Sequence, residues 1–137
     1  MGENNITLRD AVRFHGHLGP YLVLGLLAGK EALKRLGCKK YFGLNIKAYG
    51  ANLKPKSCLI DGLQLSSGTT YGKGNIQKFN GKRIRIVFQD TLSRKTLKMS
   101  LKDDLIKALD CLKGHKDSED FAKKIFNTEP SDLFKII

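Results

Sequence analysis

Cysteine is sparse and scattered in this sequence. The 137 residues hold three, Cys38, Cys58 and Cys111, with no CxxC pair among them. That argues against a zinc ribbon, a treble clef or a disulfide framework as the organising device. Long apolar runs are missing as well. A membrane span needs about 20 apolar residues in succession, and the best candidate, 21–28, is broken by Gly25. The opening MGENNITLRD lacks the apolar stretch of a secretion signal. Ile6 stands where N-myristoylation after Gly2 requires Ser or Thr. These absences predict a cytoplasmic protein with reduced thiols and no membrane partner. Acids are also few: 13 Asp and Glu stand against 25 Lys and Arg, for a net charge of +12.

What is present fits a single globular domain, 1–137. Apolar residues make up 41% and charged residues 28%, a folded rather than a disordered balance. The charge surplus has an address. The 32–102 segment carries sixteen Lys and Arg but only Asp61 and Asp90, a net of +14. Such a segment attracts anions, nucleic acid among them. Nineteen of the 25 cations are lysine, whereas bidentate phosphate and base recognition favours arginine. A solvated Lys-rich surface is therefore the better account, and nucleic acid is not the expected partner.

Local patterns predict the elements. Thr7 and Asp10 form a capping box that opens a short helix ending near His15-Gly16-His17. Pro20 suits the first turn of a second, long and buried helix that stops at Gly37. Gly25 and Gly29 leave a flat strip on that helix, open to a strand or a second subunit. Residues 43–50 alternate like a strand, 57–66 suit a short helix capped by Ser57, and 83–89 and 96–101 suit strands. Asp103 and Asp104 open a helix closed by Gly114, Ser118 caps another, and 133–137 form a last apolar turn. The fold class is α+β: a small antiparallel or mixed sheet packed with helices, followed by a helical C-terminal extension from about 102 to 137.

Three motifs carry chemistry. In the first, His15 and His17 flank Gly16 just before a helix start. The helix dipole disfavours imidazolium there, and neutral imidazole is what a metal ligand or general base needs. The bland alternative is one buried, hydrogen-bonded histidine and one exposed one. In the second, Cys58 and Asp61 stand three apart on one helix face. Lys54, Lys56 and the helix start favour a thiolate at Cys58, which suits a soft ligand or a nucleophile; the alternative is a small packed residue. The third is the 68–75 loop, GTTYGKGN. It lacks the four-residue spacing and the Ser or Thr of a nucleotide-hydrolysing P-loop. Its backbone and Lys73 can still serve a small anion.

Together these motifs resemble the core of the FmdE family, named for a component of formylmethanofuran dehydrogenase. The match rests on His15-Gly16-His17 with Pro20, on Cys58, Asp61 and Gln64, and on Gly68, Thr70, Gly72, Lys73, Gly74 and Asn75, over about 7–101. The resemblance implies an α+β core that forms dimers and holds a His and Cys pocket. It implies His15, His17, Cys58 and Asp61 as catalytic candidates, with His15, His17 and Cys58 as ligands for zinc or another divalent transition metal. It assigns Thr70, Gly72, Lys73, Gly74 and Asn75 to cofactor or anion binding. The sequence departs from the family pattern at Gly19 and Thr69, where cysteine is usual, and it shows no cysteine-rich tail. Thiol redox chemistry is therefore not expected. The expected protein is a homodimer with a metal- or small-anion-binding pocket, acting as a metal-assisted enzyme or as a component of an enzyme complex. The competing expectation is a non-catalytic scaffold whose protein partner docks on the Gly25/Gly29 helix or on 133–137.

Overall fold

The computed structural model describes residues 6–137. The expectation that the N-terminus carries no secretion or acylation signal falls largely on residues 1–5, outside the described residues. Helix α1 (Leu8–His15) starts as predicted: the Asp10 N–H donates to Thr7 Oγ1 at 3.1 Å, and the Thr7 N–H donates to the Asp10 carboxylate at 3.4 Å. It ends at Gly16 with φ 106°, a left-handed value that glycine takes without strain. Helix α2 (Pro20–Leu36) follows with Pro20 in its first turn. Then come β1 (Leu44–Tyr49), α3 (Cys58–Ser67), β2 (Ile76–Phe79), β3 (Arg85–Asp90) and β4 (Thr96–Leu101). The chain finishes with α4 (Asp103–Asp110), α5 (Gly114–Phe126), α6 (Pro130–Leu133) and β5 (Phe134–Ile136).

The five strands of the described residues form one mixed sheet in the order β2-β1-β3-β4-β5, an α+β architecture. Among the described residues only β1 and β2 pair in parallel. A parallel pair needs a crossover connection, and α3 is that crossover. Alternation puts Leu44, Ile46, Ile86, Phe88, Leu97 and Met99 on the buried face. The helices cover that face, with α2 packed against α3, α5 and β4.

Helix α2 crosses α3 backbone to backbone. A Cβ on Gly25 would lie 2.8 Å from Gly62 Cα, and one on Gly62 would lie 2.8 Å from Gly25 Cα. Gly29 meets Ser66 one turn on, and Ser66 Oγ donates to the carbonyls of Gly62 and Gly25 at 2.9 and 3.1 Å. The glycine strip is therefore filled by a helix of the same chain, neither by a strand nor by a second copy, and a partner cannot dock there. Since 25 meets 62 and 29 meets 66, the two helices run parallel, and both N-termini lie at one end of the molecule.

Other expectations shift. Ser57 has helical backbone angles and gives α3 no side-chain cap. Strand β2 was not anticipated: it is a four-residue edge strand with only Ile76 buried, too short to show alternation. Gly114 opens α5 instead of closing α4, and Ser118 lies inside α5. The 133–137 segment is not an apolar turn: Phe134 to Ile136 pair with β4 and end the sheet. The 102–137 segment thus contributes a strand as well as helices.

Candidate functional site

Parallel packing of α2 and α3 determines what meets at their shared end. His15 is the last residue of α1, His17 lies in the turn into α2, and Cys58 is the first residue of α3. One ring nitrogen of each histidine and Cys58 Sγ lie within 4.8 Å of one another. The two imidazole rings are 4.6 Å apart, tilted by 47°. Asp61, one turn into α3, sits 2.6 Å from His15 Nδ1 through Oδ2. The His15 side chain is 9% exposed. Its Nε2 is buried and has no hydrogen-bond partner.

One buried and one exposed histidine is also what a purely packing role would leave. Two features exceed it. A packed histidine satisfies both ring nitrogens, because an unmet buried polar atom costs about 1–3 kcal/mol. Here Nδ1 is held by a carboxylate, leaving a buried nitrogen with no proton acceptor or donor of its own. The second feature is the thiol beside it. Two imidazole nitrogens and a sulfur form a borderline-soft donor set that suits zinc and its neighbours. The carboxylate on Nδ1 is the arrangement that orients metal-bound imidazole and raises its basicity. Asp61 is thereby engaged with His15, which suits its carboxylate to an orienting role.

The thiol differs from the sequence expectation. Burial pushes the Cys58 pKa up, the Asp61 carboxylate adds to the rise, and Lys54 opposes it. Without a bound cation the sulfur therefore stays protonated at neutral pH. Cys38 is likewise raised by burial and then by Asp90. All three cysteines are free, and among the described residues neither Cys38 nor Cys111 joins the cluster.

The 68–75 loop is closed on itself. The Thr70 N–H donates to Asn75 Oδ1, the Tyr71 N–H to Gln64 Oε1, and the Lys73 N–H to Thr70 Oγ1. The Gly74 N–H turns back to the carbonyls of Thr70 and Tyr71. Lys73 Nζ donates to the Gly68 carbonyl at 2.5 Å and lies 5.3 Å from the centre of the Phe42 ring. Asn75 Nδ2 donates to the Tyr41 carbonyl at 3.0 Å. An anion at Thr70, Gly72, Lys73, Gly74 and Asn75 would have to compete with these bonds. The loop reaches the histidine end through Tyr71, whose pKa is raised by burial and then by the Asp61 carboxylate.

Of the two positions where the resemblance leads one to expect cysteine, Gly19 borders the cluster: a Cβ there would lie 3.1 Å from His17 Cε1. Thr69 is fully buried and shares a 2.8 Å hydrogen bond with Ser67. Sequence reasoning missed a wall of the site. His17 and Cys58 border a cavity of about 520 Å³ whose far side is Leu109, Leu112, His115 and Ser118, from α4, α5 and their connection. His115 is the third histidine of the chain, and its position in sequence, 98 residues beyond His17, gave no hint of proximity.

The chain is similar to known proteins. The family described as FmdE, Molybdenum formylmethanofuran dehydrogenase operon, matches residues 14–135. A crystal structure of a tungsten formylmethanofuran dehydrogenase FmdE-like protein from Syntrophus aciditrophicus superimposes with a TM-score of 0.67 at 17% identity. The overlap covers 95% of this chain and 68% of that one, a likeness of fold. No curated protein matches the sequence.

Proposed function

The chain belongs to the FmdE family, and we propose that it is a metal-binding protein whose His15, His17 and Cys58 hold a divalent transition ion, zinc by donor chemistry. The observation that carries this reading is His15 Nε2, buried and unpartnered while Nδ1 is anchored by Asp61, within a cluster whose donor atoms lie within 4.8 Å. His15 supplies a preoriented nitrogen, His17 an accessible one, and Cys58 a thiolate once its proton has left. Asp61 is a positioning residue: it holds the His15 tautomer and ring plane. Three protein donors leave a zinc ion an open position, where it supplies Lewis acidity and acidifies bound water. Thiol redox chemistry is not part of the proposal, because Cys58 has no second thiol in its cluster. The same site serves a metal-assisted enzyme or a component that presents the ion to a partner protein.

Elemental analysis of protein purified without a His-tag or chelator tests this. We expect about one equivalent of zinc or a similar ion per chain, lost in His17→Ala and in Cys58→Ala. Wild-type protein that stays metal-free after reloading would overturn the reading.

A further inference from the structure

We propose that the outer face of the sheet binds single-stranded nucleic acid, with phosphates on its lysines and arginines and a base stacked at Phe79. The proposal goes beyond the metal reading and does not depend on it, because the His–Cys cluster stands among the helices that cover the other face. Strand register lines up the outward side chains in rows. One row runs Phe79, Tyr49, Arg85, Ser100 and Lys135, from the β2 edge to the β5 edge. The next holds Gln77, Lys47, Val87 and Lys98. Lys47, Arg85, Lys98 and Lys135 are exposed, and among the described residues no acid pairs with them. The one acid in the five strands, Asp90, is buried on the opposite face. Four cations with no acid among them make a face that attracts a polyanion.

Charge alone does not choose the polyanion; the rings beside it do. A Lys-rich composition favours a plain solvated surface because base-edge readout uses arginine. Single strands are held otherwise, by phosphate attraction and by base planes laid on aromatic rings. The Phe79 and Tyr49 rings stack with centres 5.1 Å apart and planes 24° apart. The Arg85 guanidinium lies 4.4 Å from the centre of the Tyr49 ring. These three groups form a stack across β2, β1 and β3 that exists before any ligand arrives, so binding costs little further ordering. Phe79 ends the stack on an edge strand and is 38% exposed, which leaves room there for a further flat ring. Open sheets in RNA-binding folds stack two or three bases on exposed aromatics in this way. Beside the row lies a cavity of about 320 Å³, lined by Tyr49, Ser100 and the cations Lys82, Arg83, Arg85 and Lys135, with no acid in its wall. Arg83 also meets Asp103 at 3.4 Å in an exposed pair; the other three cations are the better seat for a phosphate next to the stack. An acidic protein segment matches the charge but supplies no series of flat rings, and a second copy would set like charges against one another.

The test is fluorescence anisotropy of the full chain with labelled oligo(U) and oligo(dT), and with a DNA duplex and polyglutamate as competitors. Both single strands should bind alike, since the groups named here reach phosphates and base planes rather than the ribose hydroxyl. With about four phosphates neutralised, the log–log salt slope should be roughly −3, or about 50-fold weaker binding between about 50 and 200 mM salt. Phe79→Ala should weaken binding about tenfold and leave that slope unchanged. Lys47→Gln combined with Lys98→Gln should cut the slope by about half. The replaced side chains are exposed, so circular dichroism and zinc content should stay as in the wild type. Chelator should not change the affinity; a loss with chelator would move the strand to the metal cluster and overturn the placement. No binding at low salt, or a duplex or polyglutamate competing as well as the single strand, would overturn the proposal on the wild-type protein alone, whether or not the variants fold. A dimer that the lysine variants dissociate would give the face to a second copy, and overturn it too.

Discussion

Single side chains carry the sharpest expectations. Asp61→Asn keeps the shape at His15 but removes the charge that orients it. Loss of such a partner typically weakens metal affinity by about 10–100-fold, so competition against a chelator should show zinc leaving Asp61→Asn first. Gly19→Cys tests the departure from the family pattern. A side chain at 19 abuts His17, so its thiol should tighten zinc retention in the same assay; no change would mean that position 19 does not face the ion. Far from the site, Asp90 ties the turn after β3. The Leu92 N–H donates to it at 2.9 Å and Ser93 Oγ at 3.0 Å. The Leu92 bond chiefly, and Ser93 after it, hold its pKa below the ordinary 3.8. A depressed carboxylate pKa stabilises the fold above the unfolded value, and that contribution is lost as pH falls through the folded one. Asp90→Asn should therefore lower Tm at pH 7, with the difference closing only in acid below about pH 3.8.

At the scale of elements, the α2–α3 crossing decides whether the site exists. Replacing a mid-helix glycine by alanine ordinarily gains about 0.5–1 kcal/mol. At Gly25 and Gly62 the sign should reverse, because the added Cβ meets opposing backbone, which cannot rotate away. Overpacking of this kind costs about 1–3 kcal/mol or more. Urea unfolding of Gly25→Ala and Gly62→Ala should show a lowered midpoint. A raised midpoint would mean the helices are looser than the structure shows. Much of this level was legible in the sequence. The Thr7/Asp10 cap, Pro20, the Gly25 strip and the alternation of β1, β3 and β4 are local signals, and each produced the expected element. The strip's occupant was not legible, since nothing local tells a helix of the same chain from a second copy. Nor were β2 and β5: with three or four residues at a sheet edge, pairing rather than periodicity makes the strand. Gly114 misled because a glycine near a helix boundary reads equally as a stop or a start. His15 and His17, and Cys58 and Asp61, stood out as separate local pairs, and only the family resemblance joined the two pairs in one pocket. The α5 wall was not legible, because His115 reaches the cavity only through tertiary packing.

The whole molecule links the site to stability. The proposed donors come from two places in the chain, the α1–α2 turn and the head of α3, so an ion held between them would favour the folded state. At a free metal concentration 100-fold above Kd, such binding adds about 2.7 kcal/mol to apparent stability. Thermal unfolding should show one transition, raised by several degrees with zinc and restored to the lower value by chelator. Among the described residues no helix is long and apolar enough to cross a membrane. The basic excess of the middle segment lies partly on the sheet's outer face, where Lys47, Arg85 and Lys98 are exposed, away from the covered face and its helices.

The most direct test of the central claim is a Co²⁺ titration followed by absorption spectroscopy. The account predicts intense visible bands of tetrahedral cobalt together with a near-ultraviolet thiolate-to-cobalt band, the latter lost in Cys58→Ser and both lost in His15→Ala. Weak, octahedral-type bands that are unchanged in Cys58→Ser, or no bands at all, would contradict a His15, His17 and Cys58 metal site.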